Sequence, residues 1–501
     1  MARIGTMKKM GDVALVDAGQ PSPTITAQPD RRPGGPGWIE PGLEPRPSRR
    51  PGKPPYRVPT MAEIRAIPRN DLRSASTFSG AGGSCLGFEM AGFHVAWANE
   101  FLPIAGDSYE ANHPDTVLDR RDIRTVKGAE IIAACGGVAP DVLEGSPPCQ
   151  SFSTAGTREK GWGKSIKHGD GTEQRSDDLF FEFTRLLKEL QPRAFIAENV
   201  SGLVKGTAKG YFLNILKALT DCGYLVETRV LDAKWLGVPQ SRQRVIFQGY
   251  RLDTGLKPSW PKPFSFFYSV RDACPWIAEA MQDNSGFTKE ISFAGDAIPA
   301  ITVGAGSVNS THFTVTGEPA KGLGADEKDD EVLPANPRVA AIVTERWRGR
   351  PPAGLGVDEG DDEIMSVKPN VREKWEKLAL GEQHEKHFSL SRVAPGEPHP
   401  TVAAMYGDPG VYAPVHPFEP RRMTILEVKR LCSFPDDYRL IGNFKERWAR
   451  LGNSVPPLMM RAVAQEVARV LLEGTPGSGG QKGERRPGQN VPGSPPSPGE
   501  A

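Results

Sequence analysis

The sequence predicts an α/β fold, a mostly parallel sheet with helices on both faces, joined to a smaller irregular domain. Three observations predict it. Between residues 72 and 250, short apolar runs alternate with amphipathic helical patterns, as strands linked by crossover helices do. A glycine-rich turn, "FSGAGG" at 78–83, follows the first such run and opens a helix, the arrangement found at the carboxyl edge of a parallel sheet. From about Pro261 to Pro420 helical periodicity fades and Gly, Pro and Asp become frequent, before helical patterns return near the end.

The elements follow in order. "SASTF" reads as a strand, the glycine turn comes next, and "SCLGFEMAGF" reads as an amphipathic helix. "HVAWANE" is a strand before the helical "PIAGDSYEANH", and "DVLEGS" is a strand that runs into "PPCQ". "DLFFEFTRLLKEL" places Leu179, Phe183, Leu186, Leu187 and Leu190 on one side of a helix, and "RAFIAENV" reads as a buried strand. Near the end "TILEVKRL" and "VPPLMMRAVAQEVARVLL" are helical. In the latter Val463, Val467, Val470 and Leu471 form an apolar stripe that is expected to pack back on the sheet domain.

These patterns divide the chain. Residues 1–68 and 474–501 are Pro- and Gly-rich and read as disordered tails, because such segments bury too little apolar surface to offset backbone entropy. Arg46, Arg49, Arg50, Lys53 and Arg57 in the first tail could meet phosphates. Residues 69–255 form the sheet domain, 256–440 the irregular domain, and 441–473 a segment that returns to the first.

The net charge of +1 excludes a polycation, so any nucleic-acid contact must come from a local patch. The clearest patch is "TERWRGRP", with Arg346, Trp347, Arg348 and Arg350. No apolar run reaches about 18 residues, so no membrane span and no secretory leader is expected, and the cytoplasm is the default location. The six cysteines form no C-x-x-C pair, which disfavours a zinc ribbon; Cys85, Cys135, Cys222, Cys274 and Cys432 read as small buried apolar residues.

The glycine turn suits a ligand, since glycine lets backbone approach closely and the helix behind it offers free N–H groups. The dinucleotide fingerprint fails, because its third glycine falls on Cys85, and no Gly-Lys-Ser/Thr follows for a P-loop. Glu100 after the second strand suits ribose hydroxyls, and Asp122 after the third suits an adenine amino group. A nucleoside without phosphates fits both, and S-adenosylmethionine is the obvious candidate, with no metal.

Cys149 differs from the other cysteines. It follows a strand at the ligand edge of the sheet, and Pro147 and Pro148 stiffen the chain that aims it. Glu198 and Asn199 end the next strand, where a shielded carboxyl could donate a proton and Asn199 could hold the cysteine loop. Arg242 and Arg244, two apart in an extended segment, point to one face and suit a phosphate or a base carbonyl.

In this order, "FSGAGG", "GSPPCQSFS", "ENV", "QSRQRV" and "LGNSVPP" resemble the DNA (cytosine-5)-methyltransferase family over residues 74 to 472. The resemblance implies a Rossmann-like, S-adenosylmethionine-dependent fold with a target-recognition domain. It implies that Cys149 attacks C6 of a flipped cytosine, that Glu198 contacts N3 and the amino group, and that Arg244 contacts O2. Arg242, Asn199 and Pro148 complete the implied catalytic set. Phe78, Gly80, Gly82, Gly83, Glu100, Phe101, Asp122, Ile123, Leu179, Asn453 and Val455 fall on cofactor positions.

The resemblance also implies that the long run 150–178 closes over duplex DNA. It is compatible with a monomer and with a separately acting restriction endonuclease as a partner. One departure stands out: the family's first motif commonly begins Asp-Leu-Phe, and here Ser76-Thr77-Phe78 stands. Two alternatives remain open to the motifs, transfer RNA as the substrate and docking on DNA without catalysis.

Overall fold

A computed structural model describes residues 53–148, 179–204, 209–277, 351 and 354–474, with short strands at 165–167, 173–175, 290–291, 301–303 and 313–315. Cys149, Gln150, most of the run to 178, the Arg346–Arg350 cluster and the chain before 53 and after 474 lie outside the described residues.

A seven-stranded sheet organises the fold. Its strands are β1 (Arg73–Thr77), β2 (His94–Asn99), β3 (Val117–Asp119), β4 (Val142–Gly145), β5 (Ala194–Val200), β6 (Tyr224–Asp232) and β7 (Gln243–Arg251). The spatial order is β3-β2-β1-β4-β5-β7-β6, and the neighbours of β7 run antiparallel to it. The first four crossovers carry α2 (Gly83–Met90), α3 (Pro103–Glu110), α4 (Gly128–Ala134) and α5 (Leu179–Leu190), and α6 (Lys209–Asp221) leads into β6; α1 (Met61–Arg65) precedes the sheet.

Alternation along the strands sorts side chains onto two cores. Val142, Ala194, Ile196 and Ile246 belong to one, while Leu143, Phe195, Ala197, Val245 and Phe247 belong to the other. The second core is closed by α4, α5 and α6, and buries all five residues of the predicted α5 stripe. The first is closed by α2 and by later helices: α7 (Val270–Ala273), α9 (Ile425–Leu431), α10 (Phe444–Asn453) and α11 (Pro457–Glu473). In α11, Val463, Val467 and Leu471 are buried in the core that α2 closes and Val470 is half-buried at its margin, so the returning stripe packs on the sheet domain with three of its four residues.

A third, smaller core holds Val367, Val371, Trp375, Leu378, Leu390 and Val415 around α8 (Pro369–Trp375). Trp260, Trp276 and Ile277 instead join the first core, so the chain just after 255 packs with the sheet.

Residues 53–68 correct the expectation of a tail. Lys53 forms a 2.6 Å ion pair with Asp272, both side chains largely buried, and the Tyr56 hydroxyl donates to the Arg430 carbonyl at 2.6 Å. Thr60 and Glu63 cap α1 reciprocally. A few aromatic and cap contacts thus order a segment whose prolines suggested otherwise. Lys53 is taken up internally, and Arg57 pairs with Glu63.

Candidate active site

The carboxyl ends of β1, β2, β4 and β5 and the start of β7 converge on one edge. The turn after β1 is tightly wound: Phe78, Gly80 and Gly82 all have positive φ, at 55°, 57° and 88°. A Cβ on Gly82 would lie 2.3 Å from Nε2 of His113, so only glycine fits there. His113 sits 3.0 Å from the Tyr438 hydroxyl and 2.9 Å from Glu89, and Tyr438 donates to the Ala81 carbonyl. This relay backs the turn and was not read from the sequence, since Tyr438 comes from more than 300 residues away.

Glu100 reaches back over the turn. Its carboxylate accepts from the Gly80 amide at 2.8 Å and the Leu102 amide at 2.7 Å. Burial raises its pKa, while these amides and the Arg450 charge pull the other way. A carboxylate offers about four acceptor sites, so two amides leave capacity for hydroxyl donors. Gly80 faces open space where a Cβ would stand, which leaves room for a ligand against the turn.

The remaining residues of the expected cofactor set are distributed around it. Phe101 is half-buried and Ile123 buried, while Asp122 accepts from the Arg124 amide and guanidinium, each at 3.0 Å. Leu179 is buried at the start of α5. The Val455 carbonyl presses within 2.5 Å of a Cβ position on Gly83, so the closing motif abuts the turn; Asn453, two residues earlier, is exposed.

Glu198 and Arg244 meet. Arg244 sits opposite Val200, two residues beyond Glu198, so alternation sends both to the α2 side of the sheet. Arg244 Nε donates to Glu198 Oε1 at 2.7 Å, with both side chains about nine-tenths buried. Burial raises the Glu198 pKa, against the pull of Arg244, Arg242 and a Ser146 hydroxyl bond, and burial lowers that of Arg244. Asn199 donates from Nδ2 to the Pro147 carbonyl at 3.1 Å. The chain entering Cys149 is therefore tied to the strand that carries Glu198.

Arg242 lies in the same region with a different set of partners. Its terminal nitrogens donate to the carbonyls of Val402, Gly452 and Ser454 at 2.8–2.9 Å, and it is only 2% exposed. Its guanidinium clamps the closing motif, and burial brings its pKa down to about 9.

Glu144 was missed by the sequence reading. It is 2% exposed on β4, and its carboxyl accepts from hydroxyls on either side of the glycine turn, Ser76 on β1 and Ser84 in α2. A lone acid inside an otherwise apolar strand was the available signal.

A twisted sheet of this order, with one reversed strand and a glycine turn beneath a carboxylate, defines a Rossmann-like methyltransferase. The chain belongs to the C-5 cytosine-specific DNA methylase family, whose pattern matches residues 72–469. It is a DNA (cytosine-5)-methyltransferase. The type II methyltransferase M.NgoPII of Neisseria gonorrhoeae is 29% identical over 406 residues, which are 80% of this chain and 97% of that protein. M.MthTI of Methanothermobacter thermautotrophicus is 28% identical over 403 residues, covering 79% and 97%. Among solved structures, a prophage-encoded E. coli protein described as a DNA modification methyltransferase aligns with a TM-score of 0.52 at 21% identity. The match covers 80% of this chain and 99% of that one, and shows a shared fold.

Proposed function

We propose that Cys149 is the nucleophile of this methyltransferase, Glu198 the acid at cytosine N3 and Arg244 the donor to O2, with S-adenosylmethionine held against the glycine turn. The observation that carries the reading is the buried Glu198–Arg244 pair on the strand that Asn199 ties to Pro147. When bound, S-adenosylmethionine supplies an electrophilic methyl group. Glu100, with capacity beyond its two amides, would take ribose hydroxyls, and Phe78, Phe101, Ile123, Leu179 and Val455 would line the nucleoside. Asp122 would take the adenine amino group from beside Arg124.

The chain's own groups supply the rest. The Cys149 thiolate adds to C6 and breaks the ring's aromaticity, placing electron density on C5. Glu198 protonates N3 and Arg244 stabilises O2 as charge develops there, in a site that excludes most water. After C5 has taken the methyl group its proton passes to solvent water, and the C5–H electron pair re-forms the C5–C6 double bond. The C6–S bond breaks to release the thiolate, and the N3 proton returns to Glu198. A duplex base is out of reach in the stack, so it must be flipped. Arg242 acts as a positioning residue, tying the closing motif to the start of β7.

Within residues 256–440, the part outside the first core would carry target recognition, with duplex DNA as substrate, a separately acting restriction endonuclease as partner, a monomeric state and a cytoplasmic location. No helix among the described residues is long and apolar enough to cross a membrane.

Duplex DNA carrying 5-fluorocytosine at target cytosines should trap a denaturation-resistant adduct with wild-type protein, and none with Cys149→Ser. Wild-type protein that neither forms the adduct nor incorporates methyl groups would sink the reading. Preferential methylation of transfer RNA over duplex DNA would move the substrate to RNA.

A further inference from the structure

We propose that Glu144 is a positioning residue of the donor site, its carboxyl reaching from β4 to hold the glycine turn in place of a carboxyl that β1 lacks. The inference rests on reading that turn as the place where the methyl donor binds. Ser76 stands where the family's motif commonly has aspartate, and Ser76 and Glu144 are direct partners in the β1–β4 register. Parallel neighbours in register project to the same face, about 4.8 Å apart. A glutamate is one methylene longer than an aspartate, which lets a carboxyl rooted on β4 return towards β1.

The contacts bear this out. Ser76 Oγ donates to Glu144 Oε1, and Ser79 Oγ lies 2.8 Å from Ser76 Oγ, extending the chain into the turn. Ser84 Oγ donates to Oε2 at 2.8 Å, and Cys85 Sγ lies 3.6 Å from Oε1. Ser76 is the penultimate residue of β1, Ser79 is in the turn, and Ser84 and Cys85 lie in the first turn of α2. Ser76, Ser79, Ser84 and Cys85 are all buried. A carboxylate can accept from all three direct donors at once. A neutral carboxylic acid holds them less tightly, because one oxygen becomes a donor and hydrogen bonds to a charged acceptor are the stronger.

Glu144 is therefore a link between two reactive regions. Its side chain holds the turn, and its own strand continues through Pro147 and Pro148 towards Cys149. Burial pushes its pKa up to about 7, with the Glu198 carboxylate adding to the rise. The titratable groups acting on it are Cys85 from α2 and Glu198 from β5; the other contacts are serine hydroxyls. Protonation near neutrality would release part of this grip.

The test compares full-length wild type with Glu144→Ser, Glu144→Gln and the double variant Ser76→Asp/Glu144→Ser. S-adenosylmethionine binding is measured by calorimetry and thermal unfolding without ligand. Glu144→Ser should raise Kd about tenfold or more, and moving the acid back to β1 in the double variant should recover Kd to within about threefold of wild type. Wild-type Kd should rise as pH falls from about 8 to about 6 through the Glu144 transition, and the Gln variant should flatten that slope, leaving only what Glu100 contributes. A purely structural role would shift unfolding while leaving Kd unmoved.

An unchanged Kd in Glu144→Ser, or a double variant that binds no better than Glu144→Ser, overturns the proposal. If the Ser variant does not fold, a pH slope as steep in Glu144→Gln as in wild type overturns it equally. Wild-type protein that binds no S-adenosylmethionine overturns the donor reading itself, and this inference with it.

Discussion

Glu144, Glu198 and Arg244 show how burial reshapes the chemistry of single residues against the pull of their partners. Each sits on the α2 side of the sheet, and desolvation leads the shift in each. For Glu144 the sign for stability follows from its raised pKa, from an ordinary 4.5 to about 7. The folded protein holds this proton more tightly than the unfolded chain does. Its contribution is thus full below about 4.5 and is lost as pH climbs to about 7. Glu144→Gln should accordingly be more stable than wild type at pH 8, by up to about 3 kcal/mol, and no more stable near pH 4.5; urea unfolding at both pH values checks this.

Arg242 makes the opposite case. Arg242→Met removes a buried charge but strands three carbonyls, each costing about 1–3 kcal/mol when left without a donor. A net loss of roughly 3 kcal/mol in denaturant unfolding is expected, with a weaker hold on S-adenosylmethionine because the closing motif loosens. Lysine offers a point charge in place of a planar fork, so Arg242→Lys should recover only part of the loss.

At the scale of elements, the glycine turn is set by what packs behind it. Gly82 combines a φ of 88° with a Cβ position 2.3 Å from His113 and 2.7 Å from the Tyr438 hydroxyl. Gly80 has a φ of 57° but open space around the same position. Gly82→Ala should therefore cost about 3 kcal/mol or more, from strain plus displacement of the His113–Tyr438 relay. Gly80→Ala should cost about 1–2 kcal/mol in stability. Equal losses in thermal unfolding would mean that the relay yields easily. The sheet elements were legible because alternation and flanking turns marked them. The strand predicted as "RAFIAENV" runs from Ala194 to Val200, and the helix with the Leu179–Leu190 stripe buries that stripe. The relay was not legible, because no local pattern links His113 to Tyr438.

For the whole molecule, the first core explains why the segment before α1 matters, since Tyr56 and Val58 pack against it. The segment 53–60 packs against residues from 268 to 430 through the Lys53–Asp272 pair, the Tyr56–Tyr268 edge contact at 5.0 Å and the Tyr56 bond to Arg430. A chain started at Met61 should melt about 1–3 °C below one started at Lys53, as a loss of about 1–2 kcal/mol implies for a domain of more than about 300 residues. Identical melting would show that these contacts are as strong in water as in the fold.

The motif order determined, without any coordinates, the family, the sheet-and-helix alternation and the residues that come together at one edge, because each motif is a local pattern with its own strand or turn. Glu198 and Arg244 could be named from the sequence for that reason. Only the tertiary structure decided that Arg242 grips the closing motif, that residues 53–68 belong to the fold, and that Glu144 answers the serine at 76. Those facts depend on distances between segments far apart in the chain. A side chain's partners there are set by register and packing, which no stretch of neighbouring residues encodes.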